Sequence, residues 1–182
     1  MKYIILIFGV IFAIVSTSCQ SKLNVPSEYI ISGNSLKNSL KQTDNNLVLF
    51  WTDWCGASKS RIEKYYKPLS AEIEKNDLDL KIILLASDEN ITLEDIDQLR
   101  NNGITCYYIE KPGGNAITNR MSIKRFINNT FPDNQIKKIT EFQYGIPVEL
   151  LITKDLEIIN DKETGKSFEF ISEILNLKRH FK

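Results

Sequence analysis

The sequence is poor in the residues on which most metal and hydrolytic sites depend. Its 182 residues contain a single histidine, His180 near the C-terminus. Catalytic triads built on histidine and zinc sites with several histidines are therefore unsupported. Glu94, Asp95 and Asp97 form an acidic cluster, but in the first turn of a predicted helix such charges complement the helix dipole. We predict neither a metal nor a cofactor.

Neither sign of charge is in excess. The chain carries 23 Lys and Arg residues against 23 Asp and Glu residues, which argues against a nucleic-acid-binding surface. A glycine-rich phosphate loop is also missing, because Gly113 and Gly114 fall in a predicted turn without the required spacing. We therefore expect no nucleic-acid partner.

Apolar runs long enough to cross a membrane are absent. Lys2 precedes an apolar run of about 13 residues, Tyr3 to Val15, and a bilayer span needs about 20. The run therefore predicts a secretory signal peptide. The stretch Ser16-Thr17-Ser18-Cys19 resembles the bacterial lipobox, in which the cysteine is acylated and becomes the mature N-terminus. The resemblance implies a lipoprotein signal peptide over residues 1–18. Ser16 departs from the leucine usual there, and the alternative is a conventional secreted protein with an incidental Cys19.

This N-terminus predicts an exported protein of the periplasmic cell envelope, held to the membrane by a lipid anchor. Gln20 and Ser21 carry no acidic retention signal, so by resemblance the anchor lies in the outer membrane. We predict a lipidated tether over residues 19–34 and one domain over residues 35–182. We expect this domain to be a monomer.

Only two cysteines then remain for chemistry, Cys55 and Cys106, and neither belongs to a Cys-x-x-Cys pair. In an oxidising compartment two thiols can pair, stay reduced or react with partners. Cys106 lies on a predicted strand far from Cys55 in sequence, and a buried, unreactive cysteine is the favoured interpretation. A Cys55–Cys106 disulfide would need Cα atoms within about 7 Å, which the sequence does not establish.

Hydrophobic periodicity predicts strands that alternate with helices, followed by a hairpin and a last helix. The predicted strands cover residues 47–51, 80–86, 104–109, 148–152 and 157–159. The predicted helices cover residues 35–42, 58–75, 92–102, 117–129 and about 168–177, with a turn at 112–114. The pattern indicates an α/β fold with a mixed sheet.

Two motifs carry a resemblance to thioredoxins. Phe50-Trp51-Thr52-Asp53-Trp54-Cys55-Gly56 resembles their strand-to-helix junction, and Tyr144-Gly145-Ile146-Pro147 resembles their cis-proline loop. The long β-α segment between them resembles exported thiol-disulfide lipoproteins and cytochrome-maturation thioredoxins. The resemblance implies a thioredoxin fold, with a central mixed sheet flanked by helices and an extra β-α segment before the cis-proline loop.

The first motif can also be understood from its physics. A cysteine that opens a helix after a buried strand lies beside backbone N–H groups without helical partners and at the positive end of the helix dipole. This environment stabilises the thiolate, which is the nucleophile. Trp54 would cover one side of Cys55, and Gly56 and Ala57 would leave the turn open to a partner. The alternative is a small buried turn residue.

The second motif would supply a peptide ledge. By resemblance, a cis bond before Pro147 would turn the backbone of Ile146 outward, so that its N–H and C=O could pair with an extended peptide beside Cys55. The alternative is a trans proline at a strand start, which is permitted.

Three residues depart from the thioredoxin pattern. Ser58 stands where the resolving cysteine would be, and a hydroxyl cannot form the disulfide that releases a mixed disulfide. Leu49 stands where the family has a buried carboxylate, which without a thiol to deprotonate would only cost desolvation. Glu63 stands where the family has a helix-kinking proline. The nearest proline, Pro68, predicts a later kink or an early helix end.

Two functions follow. The first is a monothiol thiol-disulfide oxidoreductase or isomerase, with Cys55 and Ser58 at the catalytic turn and a partner protein, peptide or small molecule that carries a thiol or disulfide. The second is a redox-inactive adaptor lipoprotein that keeps the fold as a peptide-binding module. A peroxidase is a weaker third option, since no Thr/Arg constellation supports the cysteine.

Overall fold

The computed structural model describes residues 25–140 and 147–159. The predicted signal peptide, Cys19, Ile146 and the last predicted helix lie outside these residues. Within the described ranges, no helix combines the length and apolar character that a membrane crossing requires.

The described chain contains six strands and six α-helices. The strands are β1 (Ile30–Ile31), β2 (Asn45–Trp51), β3 (Leu80–Asp88), β4 (Thr105–Gly113), β5 (Val148–Thr153) and β6 (Ile158–Ile159). The helices are α1 (Gly33–Leu40), α2 (Gly56–Arg61), α3 (Lys67–Asn76), α4 (Leu93–Asn101), α5 (Ala116–Thr130) and α6 (Asp133–Thr140). A 3-10 turn (Ser27–Tyr29) precedes β1, and a π turn (Ile62–Tyr66) joins α2 to α3.

The strands form one mixed sheet in the order β1-β4-β3-β2-β5-β6. The first four in this order run parallel, β5 runs antiparallel to β2, and β6 closes a hairpin with β5. The prediction of a thioredoxin-type fold with a central mixed sheet flanked by helices is therefore confirmed. Strand β4 and helix α5 form the extra β-α segment ahead of Pro147.

Strand β2 lies at the centre of the core because its side chains are buried on both faces. Leu47, Leu49 and Trp51 pack in one cluster with the helical run that follows Cys55. Val48 and Phe50 pack in the other, where the Phe50 ring meets Phe126 of α5 edge-on with centroids 6.0 Å apart. A strand covered by helices on both sides has no polar face, which explains its continuous apolar run.

The sheet begins earlier in the chain than the tether predicted over residues 19–34 would allow. Ile30 and Ile31 form β1 and pair with Tyr108 and Ile109 of β4, and Ile31 is buried. Two residues are too short for periodicity to reveal a strand. Part of the predicted tether is therefore an edge strand of the domain.

The turn predicted at residues 112–114 is wrong for its first two residues. Pro112 and Gly113 belong to β4, and Gly113 pairs with Asp88 after a register shift between Ala86 and Asp88. Proline and glycine are tolerated in a strand at such irregularities. Helix α6 was not predicted, because its eight residues form a short, mostly polar segment.

The helix after Cys55 continues through Pro68 rather than ending early. Because proline lacks an N–H and its ring collides with the carbonyl four residues back, a regular α-helix cannot include it unchanged. The five residues from Ile62 to Tyr66 widen into a π turn directly before α3, in which Pro68 occupies the first turn. The result is one uninterrupted helical run from Gly56 to Asn76.

The edge strand β1 provides a test of where the domain begins. Because Ile31 is buried, Ile31→Ala should lower the free energy of unfolding by about 2 kcal/mol or more, measured by urea denaturation. Ser27→Ala, at an exposed position, is the control and should change it by less than about 0.5 kcal/mol. Equal stability of both variants and the wild type would contradict the placement of β1 in the domain.

Candidate functional site

Cys55 lies where the central strand gives way to a helix. Strand β2 ends at Trp51, and Cys55 is the N-cap of α2 with extended backbone angles, φ −88° and ψ 101°. Its carbonyl accepts hydrogen bonds from the N–H groups of Ser58 at 2.9 Å and Lys59 at 3.3 Å. The Cys55 side chain makes no capping hydrogen bond. The N–H groups of Gly56 and Ala57 lie in the first turn and have no carbonyl partner within the helix. Cys55 therefore lies at the end of the helix that carries these N–H donors.

Cys55 is buried, but the residues on either side of it in the chain are exposed. Cys55 itself is only 8% exposed, whereas the neighbouring Trp54 is 47% exposed and Gly56 and Ala57 are exposed. A Cβ atom added to Gly56 would meet no heavy atom within 4 Å. Cys55 is therefore flanked in the chain by the exposed Trp54 and by Gly56, whose Cα faces open space.

An ion pair brackets the turn that holds Cys55. The Asp53 carboxylate lies 2.5 Å from the Lys59 ammonium, and both side chains are about half exposed. The hydrogen bond to Asp53 raises the pKa of Lys59. Water screens such an exposed pair, so its contribution to stability is small.

Ser58 occupies the first turn of α2 on its inner side. It is fully buried, and its Oγ has no hydrogen-bond partner in the described part of the chain. A buried hydroxyl without a partner costs free energy. The residue in the resolving position is thus enclosed and carries a group that cannot form a disulfide.

Pro147 reaches the same edge of the sheet from the neighbouring strand. The antiparallel pairing of β2 with β5 sets Phe50 opposite Val148, so Pro147 follows at the level of Trp51. The half-buried Pro147 therefore lies at the carboxyl end of β2, as do Trp54, Cys55 and Ser58. Ile146 and the peptide bond before Pro147 lie outside the described residues, and the predicted cis bond stays a prediction.

Cys106 lies in the core, away from this edge. It is fully buried and pairs with Leu84 of β3, which in turn pairs with Leu49 of β2. Neither Cys106 nor Cys55 is in a disulfide. Burial raises the pKa of the Cys106 thiol to about 12, which keeps it protonated and unreactive at neutral pH. This agrees with the interpretation of Cys106 as a buried structural cysteine.

Sequence reasoning missed a buried carboxylate that packs against the Cys55 helix, our name for the helical run from Gly56 to Asn76. Leu49 is apolar, as noted, but its register partner on β5 is Glu149. The Glu149 side chain is 6% exposed and forms an ion pair with Arg61 of α2. Its carboxylate also accepts a hydrogen bond from the Tyr66 hydroxyl. The signal available in the sequence was one charged residue within the apolar strand 148–152.

Tyr66 is part of the same cluster. It is fully buried, and burial, followed by the charge of Glu149, raises the pKa of its hydroxyl well above the usual value. The hydroxyl thus stays protonated and donates to the carboxylate. Arg61, Tyr66 and Glu149 form what we call the Glu149 cluster.

The acidic residues near residue 95 have the structural role that the sequence indicates. Asp95 accepts hydrogen bonds from the backbone N–H of Thr92 at 2.9 Å and from its hydroxyl at 2.7 Å, completing a capping box at the start of α4. Asp97 accepts one from the Tyr29 hydroxyl at 2.9 Å. Among the described residues, no group of three or more His, Cys, Asp or Glu side chains could hold a metal ion.

No family model and no curated protein sequence matches the chain. Among solved structures, it is similar to a thioredoxin-like protein from Bacteroides caccae, with 17% identity, a TM-score of 0.47, and 76% of this chain and 43% of that chain covered. A thiol:disulfide interchange protein from Bacteroides sp. matches with 14% identity and a TM-score of 0.47, over 80% of this chain and 84% of that chain.

A secreted disulfide oxidoreductase from Mycobacterium tuberculosis matches with 14% identity and a TM-score of 0.42, over 77% of this chain and 85% of that chain. All three share less than 25% of their residues with this chain and score below 0.5. The fold class therefore rests on the order and the directions of the strands in this chain. A function is argued from the geometry of its own site.

The two described cysteines should differ sharply in reactivity. In the native protein at pH 7, iodoacetamide should modify Cys55 at least about tenfold faster than Cys106, because Cys106 is fully buried and protonated. Peptide-resolved mass spectrometry after timed quenching measures both rates. In 8 M urea the rates should converge, which is the control. A native Cys106 rate equal to its rate in 8 M urea would contradict the placement of Cys106 in the core.

Proposed function

We propose that this chain is a membrane-anchored thioredoxin-like protein that acts on protein or small-molecule disulfides by a monothiol mechanism through Cys55. The observation that supports it best is the position of Cys55 at the start of the helical run to Asn76, beside exposed Trp54 and the open space at Gly56. This position places the sulfur at the donor end of the helical run, and a partner would reach it through the 8% of Cys55 that is exposed.

The reaction would be one thiol-disulfide exchange followed by another. The Cys55 thiolate attacks one sulfur of the partner disulfide, the new S–S bond forms as the old one breaks, and the released sulfur leaves as a thiolate. A thiolate of the partner or of an external thiol then attacks the mixed disulfide and regenerates Cys55. Each cycle exchanges one disulfide for another, which suits isomerisation or deglutathionylation better than net reduction.

Ser58 would not act as the second nucleophile. Its hydroxyl is buried and cannot form a disulfide, and Cys106 is enclosed in the core with its thiol protonated. The mixed disulfide would therefore persist until a thiol arrives from outside. This persistence is the feature that an experiment can detect.

The substrate would bind across the edge where β2 ends and β5 begins. Trp54, Gly56 and Ala57 would contact it on the helix side, and Ile146 and Pro147 would pair with an extended peptide on the other. The exposed indole of Trp54 offers the apolar area that such contacts need. In this proposal the protein is a monomer, exported to the periplasm and lipidated at Cys19, with its anchor in the outer membrane.

A redox-inactive adaptor is the second candidate, and the enclosed Ser58 favours it. A chain that does not need a resolving thiol keeps its function when a buried serine takes its place, and the same edge could still bind a peptide. The two candidates differ in whether the sulfur of Cys55 is needed. Cys55→Ala should abolish activity in the first case and leave partner binding intact in the second.

Restoring the missing cysteine should change the lifetime of the mixed disulfide. With a glutathione-linked peptide disulfide, the wild type should accumulate a mixed disulfide at Cys55, visible by non-reducing electrophoresis and mass spectrometry. Ser58→Cys should shorten its lifetime by about tenfold or more, because the new thiol attacks intramolecularly.

Cys55→Ser, with its fold checked by circular dichroism, is the matched control and should form no adduct. A wild type that forms no adduct, or an adduct equally long-lived in Ser58→Cys, would contradict the monothiol mechanism. Retained partner binding by Cys55→Ala, combined with no adduct in the wild type, would establish the adaptor instead.

A further inference from the structure

The Glu149 cluster links the two chain segments that form the proposed site. Glu149 of β5 accepts hydrogen bonds from Arg61 of α2 and from Tyr66 of the π turn. We infer that Glu149 is a positioning residue for the disulfide exchange, an inference that rests on the proposed function. With Arg61 and Tyr66 it fixes the Cys55 helix against the end of β5 that carries Pro147.

The ion pair is close along the chain to both parts of the proposed site. Arg61 follows Cys55 by six residues in the same helix, which at 1.5 Å per residue is about 9 Å along the axis. Glu149 follows Pro147 by two residues of extended chain, about 7 Å. The ion pair therefore lies within about 9 Å of Cys55 along the helix and about 7 Å of Pro147 along the strand.

The polar link adds a directional contact to the apolar packing of the helical run against the sheet. Ile62 and Leu69 pack in the apolar cluster with Leu49, and apolar burial is not directional. A charge-assisted hydrogen bond between a guanidinium and a carboxylate has a defined geometry. The Tyr66 hydroxyl supplies a second bond to the same carboxylate, so two points along the helical run are held.

Stability alone is a weak reason for a charged pair at this place. Replacing a buried ion pair by well-packed apolar residues often leaves a protein as stable or more stable. The Glu149 side chain is 6% exposed and that of Arg61 is 34% exposed, so desolvation offsets much of the attraction. Unlike an apolar contact, the ion pair has a defined geometry. A defined geometry between helix and strand is what a site built from both of them requires.

Two reagents separate positioning from the intrinsic reactivity of the thiol. Iodoacetamide needs only the sulfur of Cys55, whereas a peptide disulfide needs the sulfur and the Pro147 edge together. Glu149→Gln keeps the shape and an acceptor oxygen but removes the charge. It should slow adduct formation with the peptide disulfide by about tenfold, since a small misplacement of reacting groups is costly. Alkylation by iodoacetamide should change by less than about twofold.

Glu63→Gln is the matched control. It is the same substitution in the same helical run, but the Glu63 side chain is 62% exposed and pairs with Lys67 within the helix. Both rates should equal those of the wild type. If Glu149→Gln does not fold by circular dichroism, Tyr66→Phe, which removes only the hydroxyl, is measured in the same way and should slow the peptide reaction selectively.

The outcomes that overturn the inference are distinct. A folded Glu149→Gln protein that reacts with the peptide disulfide at the wild-type rate shows that Glu149 has no positioning role. An equal loss with both reagents overturns it as well, because Glu149 would then act on the thiol itself. A wild type that does not react with the peptide disulfide overturns the proposed function and the positioning role together.

Discussion

The antiparallel pairing of β5 with β2 is the constraint on which the site depends. The register that sets Leu49 opposite Glu149 and Phe50 opposite Val148 places Pro147 at the level of Trp51. It also directs Glu149 to the face that the Cys55 helix covers. Because side chains alternate between faces, a slip of one residue would turn Glu149 to the other face of the sheet. The buried apolar side chains on both faces of β2 oppose such a slip, so the core fixes the geometry of the edge.

The position of the site follows from the direction of the strands. In an open α/β sheet, the carboxyl ends of parallel strands form the edge at which ligands bind. Strand β2 delivers the Cys55 turn to this edge, and β5, which runs the opposite way, begins there. The chain thus brings together two segments about 90 residues apart in sequence. The Glu149 cluster adds a link beneath them, between the helix and β5.

The sequence was informative where burial imposes a pattern. The strand 47–51, the helix that begins at residue 92 and the hairpin of strands 148–152 and 157–159 could each be predicted, since periodicity is local. Strand β1, helix α6 and the strand position of Pro112 could not, because short elements and irregular pairing depend on tertiary contacts. Glu149 was missed for the same reason. Its partners Arg61 and Tyr66 are more than 80 residues away in sequence, and only the fold joins them.

The register between β2 and β5 is accessible to one direct measurement. In an isotope-labelled sample, cross-strand nuclear Overhauser effects should connect Leu49 with Glu149 and Phe50 with Val148, as the pairing requires. The side-chain protons of Glu149 should also show contacts with the ring of Tyr66. Contacts that instead join Leu49 to Val148 or to Leu150 would reveal a register shifted by one residue. They would contradict the placement of both Pro147 and Glu149.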